Sequence, residues 1–107
     1  MDHYIQVLTT TDSEEHAEAL ARAAVEARLA ACAQIIGPMR SIYRWNGTVR
    51  SEAEWQVVIK TVADRYPVLE RTLRDVHTYD VPEIIALPIS AGSEDYLRWI
   101  SEQSGPE

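Results

Sequence analysis

Apolar positions recur along the chain at two different periods, and the switches between them predict the elements. Tyr4-Ile5-Gln6-Val7-Leu8-Thr9 is short, β-branched and mostly apolar, which predicts a well-buried first strand. Thr11-Asp12-Ser13 then offers helix caps, and Asp12 with Glu15 has the spacing of a capping box. Ala17, Leu20, Ala21, Ala24 and Val25 follow at helical spacing, with Glu18 and Arg22 paired four apart on the opposite face. This predicts a long helix ending near Leu29. Cys32–Ile36 reads as a second strand, interrupted by Gly37-Pro38 because proline donates nothing to a ladder, and resumed at Ser41–Trp45. Asn46-Gly47 is a strong hairpin signal, and the return strand runs from Thr48 to Val62.

Asp64 is placed to cap a second helix whose face carries Tyr66, Leu69, Leu73 and Val76, with Pro67 tolerated only near its start. Thr78–Pro82 reads as a loop and Glu83–Ile89 as a fourth strand. Gly92-Ser93 then opens a short final helix bearing Tyr96, Leu97, Trp99 and Ile100. The order predicts one α+β domain over residues 1–107, a ferredoxin-like split βαβ sandwich with an extra C-terminal helix. Residues 104–107 read as a flexible tail. Both main helices are expected on one face of an antiparallel sheet, leaving the other face bare. The hairpin is longer than two helices can cover, which predicts an oligomer.

Composition narrows the class of partner. The 107 residues are 46% hydrophobic and 25% charged, an ordinary globular mixture. A net charge of -7 argues against a nucleic-acid partner, whose phosphates need a basic face. A single cysteine, Cys32, excludes an intrachain disulfide and a thiolate metal cluster within one subunit. The first residues carry neither a basic flank nor an apolar run of signal-peptide length, and no stretch approaches ~18 apolar residues. The expectation is a cytoplasmic protein with no membrane partner.

Candidate chemistry is sparse. There is no glycine-rich phosphate loop, CxxC pair or HExxH motif. Thr9-Thr10-Thr11-Asp12 has neither the glycines nor the arginine that acyl-phosphate cleavage on this fold would need. The first strand offers only Tyr4 as an aromatic for stacking RNA bases. Cys32 reads either as a soft ligand or nucleophile, or as a small apolar residue among alanines. His77 stands where the second helix ends, as a helix-terminal cation or as a metal ligand, with Asp80 and Glu83 close behind. Lys60 ends an apolar run and needs a partner, for which Glu83 is the candidate; an anionic ligand is the alternative. Tyr43, Trp45 and Trp55 could line a pocket or form hairpin packing surface. Tyr79 and Glu83 could act as acid and base, but no activated nucleophile accompanies them, so no enzyme is expected.

Leu29-Ala30-Ala31-Cys32, Ser41-Ile42-Tyr43-Arg44-Trp45-Asn46-Gly47, Ile59-Lys60-Thr61, His77-Thr78-Tyr79-Asp80-Val81-Pro82-Glu83-Ile84 and Asp95-Tyr96-Leu97-Arg98-Trp99-Ile100 together resemble the divalent-cation tolerance protein CutA family. The likeness spans nearly the whole chain. It implies a homotrimer of PII-like architecture in which hairpins extend neighbouring sheets, so Tyr43, Trp45 and Trp55 become interface candidates. It implies tolerance to divalent cations, copper(II) above all, with metal held by Cys and His side chains and no organic cofactor. His77 and Cys32 match family positions, as do Lys60, Tyr79, Pro82, Glu83 and Trp45. Thr9 and Val76 stand where some members carry further copper ligands, and Thr78 replaces a usual proline, which shifts the expectation toward oxygen-rich ligation, with Asp80 and Glu83 as candidates, or toward no physiological metal. The alternative is a PII-like module whose intersubunit clefts hold a small anion or metabolite beside Lys60, Tyr79 and Trp45, with metal binding incidental.

Overall fold

The computed structural model describes residues 3–106. Strand β1 (Tyr4–Thr11) leads into helix α1 (Glu14–Glu26), then the hairpin strands β2 (Cys32–Trp45) and β3 (Thr48–Val62). A single 3-10 turn (Ala63–Arg65) precedes helix α2 (Tyr66–Val76), followed by β4 (Ile84–Pro88) and helix α3 (Glu94–Gln103). The sheet order is β2-β3-β1-β4 with every neighbouring pair antiparallel. Each helix crossover therefore skips one strand, the split βαβ arrangement expected from the element order.

Strand alternation divides the sheet into two chemically different faces. Ile5, Val7 and Thr9 of β1 and Val57, Ile59 and Thr61 of β3 point toward α1 and α2. There they join Ala17, Leu20, Ala21, Ala24, Leu69 and Leu73 in the buried core. Thr61 satisfies its hydroxyl by donating to the Leu29 carbonyl at 2.8 Å. The Thr9 hydroxyl is fully buried and has no partner among the described residues.

The second face is only partly bare, contrary to expectation. Helix α3 lies across one end of it, where Tyr4 shares a 2.7 Å hydrogen bond with Ser101 and Ile100 is buried. The remainder presents Ile36 (54% exposed), Ile85 (47%) and Leu87 (40%) to solvent. The end of α3 is held by Arg28, whose guanidinium donates to the carbonyls of Glu102 and Gly105. Arg28 also closes α1: its φ is 58°, and Arg28 N–H to Val25 and Leu29 N–H to Ala24 form the paired bonds of a Schellman ending. An arginine occupies a glycine-favouring position because its side chain is needed at a second helix terminus. Ser104, placed by the sequence pattern in a flexible tail, is buried, and its hydroxyl donates to the Ile100 carbonyl.

Local signals explain the remaining boundaries. Ser13, not Asp12, caps α1 by accepting from the His16 N–H at 3.1 Å, while Asp12 pairs with the His16 ring at 2.6 Å. α2 starts at Tyr66 without a side-chain cap, so Asp64 does not cap it. β2 runs on through Gly37-Pro38, but these two residues pair with nothing on β3, and the register shifts between Ile36 and Met39, the bulge expected at this dipeptide. A Cβ on Gly37 would come within 2.5 Å of Trp55 Cδ1. Trp55 is thus packed tightly over Gly37 and against the core of its own subunit.

Candidate functional site

Beyond the part of the sheet covered by helices, the hairpin and the loop between α2 and β4 enclose an open cleft of about 630 Å³. Register builds its hairpin wall. Tyr43 lies opposite Arg50, Ser41 opposite Glu52, and Met39 opposite Glu54, so these side chains share one face. The end of β1 contributes Thr10 and Asp12, and the loop contributes Tyr79, Asp80 and Glu83. Trp45 stands at the outer end. Five carboxylates (Asp12, Glu52, Glu54, Asp80 and Glu83) face one arginine, Arg50, across this space.

Hydrogen bonds fix the loop. The His77 Nδ1 accepts from the Tyr79 backbone N–H at 3.0 Å, which leaves Nε2 to donate to the Thr10 carbonyl at 2.8 Å. Those partners select one tautomer and tie α2 to the end of β1. The Tyr79 hydroxyl donates to Glu54 Oε2 at 2.7 Å. Burial, with Glu54 beside it, raises the Tyr79 pKa well above the ordinary phenol value, so Tyr79 stays a donor. Tyr43 makes the analogous short bond to Glu52, which also raises its pKa. Asp12 is pulled below its ordinary value by its hydrogen bond to His16.

The residues expected to form a metal centre do not assemble. Asp80 and Glu83 reach the cleft, but both nitrogens of His77 are engaged with backbone groups. Cys32 lies at the other end of the sheet, opposite Lys60, with its sulfur 3.4 Å from the Tyr96 hydroxyl. Among the described residues no three of His, Cys, Asp and Glu converge to hold an ion. A copper centre built from His77 and Cys32 therefore does not fit within one subunit.

The expected Lys60–Glu83 pair is also not made within the chain. Lys60 lies opposite Gln6, whereas Glu83 immediately precedes Ile84, which lies opposite Thr9. Four residues of strand, roughly 13 Å, therefore separate them along the sheet. The Lys60 ammonium donates instead to Gln34 Oε1. Lys60 thus lies outside the cleft that holds Tyr79 and Trp45. Glu52, Glu54 and Asp12 are cleft residues that sequence reasoning missed. The usable signal was carboxylates at every second position, Glu52 and Glu54, in a strand that otherwise turns apolar.

A model of the CutA1 divalent ion tolerance protein family matches residues 5–103. The chain belongs to that family. It is 46% identical over 99 residues to the divalent-cation tolerance protein CutA of Thermus thermophilus, covering 92% of this chain and 96% of that one. It is 42% identical over 93 residues to Protein CutA of Homo sapiens, covering 87% of this chain but 52% of the human protein. Among solved structures, CutA1 of Oryza sativa superposes with a TM-score of 0.93 at 35% identity, covering 98% of this chain and 96% of that one. The Thermus thermophilus structure gives 0.91 at 44% identity, covering 98% and 100%. In this chain the acidic, aromatic cleft lies apart from Cys32, and both ring nitrogens of His77 are bonded to backbone groups.

Proposed function

We propose that the protein acts in tolerance to divalent cations as a homotrimer. In this reading the cations, copper(II) included, are drawn to the carboxylates of the cleft and not to His77 and Cys32. The observation that carries the cation reading is the imbalance of five carboxylates against one arginine around a single cleft. Because these groups do not converge, they attract hydrated cations weakly, with a Kd on the order of 10⁻⁴ M or weaker, the range of open oxygen sites. The same imbalance disfavours a small anion. The trimer is supported by the exposed Ile36, Ile85 and Leu87 on the sheet face that α3 leaves open, and by the two unpaired strand edges on β2 and β4. Calorimetric titration with copper(II) and manganese(II) tests the cation site. Combined Asp80→Asn and Glu83→Gln should weaken binding severalfold while His77→Gln leaves it intact; the reverse pattern rejects the reading.

A further inference from the structure

Helix α3 is the least self-sufficient element of the fold. Of its ten residues only Ile100 is buried, whereas α1 buries four side chains and α2 two. Ser93 precedes it without a side-chain cap bond, and its last turn carries no basic residue. It is shorter than the roughly 12–15 residues below which an isolated helix is marginal in water. A small set of polar contacts from outside fastens it. Arg28 donates to the carbonyls of Glu102 and Gly105, supplying the cation that the end of α3 lacks. Tyr4 shares a 2.7 Å hydrogen bond with Ser101, and the Tyr96 hydroxyl lies 3.4 Å from the Cys32 sulfur.

Arg28 makes these bonds from a backbone φ of 58°, a conformation that costs an ordinary side chain free energy and glycine none. Glycine would end α1 at lower backbone cost; what arginine adds there is the reach of its guanidinium to α3. Arg65 braces the same corner by donating to the Arg28 carbonyl at 3.3 Å. The main core, by contrast, is built from β1, β3, α1, α2 and the Leu29-Ala30 turn and contains no residue of α3. We infer that α3 with the following Ser104-Gly105 is a strap that opens as a unit while the rest of the fold stays closed, and that Arg28 is its latch. Opening parts Tyr4 from Ser101, withdraws Tyr96 from Cys32 and frees Ile100, so one end of the second face becomes uncovered. Because the main core is untouched, this opening lies below global unfolding in free energy.

Amide hydrogen exchange of the full chain in its solution assembly, read by mass spectrometry, tests it. Relative to their intrinsic rates, amides of residues 97–104 should exchange at least tenfold faster than those of residues 57–59 in the core strand. Arg28→Gly removes the latch and leaves the α1 ending its preferred residue. It should speed residues 97–104 at least a further tenfold, the loss of two hydrogen bonds from a charged donor, and leave residues 57–59 unchanged. Tyr4→Phe removes only the Ser101 bond. It should give a smaller increase confined to the same residues, and it carries the test alone if Arg28→Gly does not fold. Melting curves and light scattering establish that each variant is folded and assembled as the parent chain is. Equal protection of residues 97–104 and 57–59 in the parent chain, as would follow if a neighbouring copy clamps α3, overturns the inference. So does a folded Arg28→Gly in which residues 97–104 keep their rates, or in which both regions speed up together.

Discussion

At the residue scale, the pair Tyr79–Glu54 holds the cleft floor, and its chemistry predicts an alkaline limit. Tyr79 is raised chiefly by burial and then by Glu54, and Tyr96 is pushed up to about 12, chiefly by its hydrogen bond with Cys32. Both keep their protons in the folded state after an unfolded phenol, near 10, has lost its own. Their stabilising contribution is therefore complete below pH 10 and is lost as pH rises through the folded values. The melting temperature should fall between pH 10 and 12. Tyr79→Phe should destabilise by about 1 kcal/mol at neutral pH, because Glu54 loses its donor, and should flatten that alkaline fall. A pH series of melting curves on both proteins checks this; an unchanged alkaline slope in Tyr79→Phe would show that Tyr79 is not the titrating group. Glu54 itself was the residue least legible in the sequence. A glutamate in a strand reads as solvated until register places it beneath Tyr79.

At the element scale, local patterns were read where a single segment decides its own conformation. The Asn46-Gly47 turn has φ of 50° and 75°, the mirror-image geometry that favours this dipeptide in a two-residue hairpin. Nothing lies within 4 Å of a Cβ built on Gly47, so Gly47→Ala meets only backbone cost. That cost should be about 1 kcal/mol of lost stability, measured by denaturant unfolding; a neutral effect would mean that the tip frays in solution. Element order, the α1 stripe and the hairpin span were legible for the same reason. What escaped was the docking of elements that are distant in sequence. Helix α3 closes part of the second face through Tyr4–Ser101, contacts between residues 97 apart that no local period announces. Within one chain Lys60 and Glu83 are held apart by strand register, so a pair between them would have to cross a subunit boundary. His77 was identified as important, but its ring is a structural clasp between α2 and β1.

At the scale of the whole molecule, the chain leaves part of its sheet uncovered. It measures 44 × 25 × 21 Å and leaves aliphatic side chains on the open sheet face. The proposed ring of three chains would cover that face and pair the free edges. Gel filtration with light scattering should give three times the 12.1 kDa chain. Ile85→Glu, which places charge in the covered face, should shift the mass toward one chain at micromolar concentration. A trimer that survives Ile85→Glu unchanged would place the interface elsewhere.

The nature of the donor atoms decides where a divalent cation meets this protein. Electron paramagnetic resonance of copper(II), added below one equivalent per chain, reads those donors directly through nitrogen coupling. With oxygen ligation at the cleft, spectra of wild type and His77→Gln should be the same, while the combined Asp80→Asn and Glu83→Gln change should alter them. Nitrogen coupling present in wild type and lost in His77→Gln would contradict the assignment and return the metal to the imidazole.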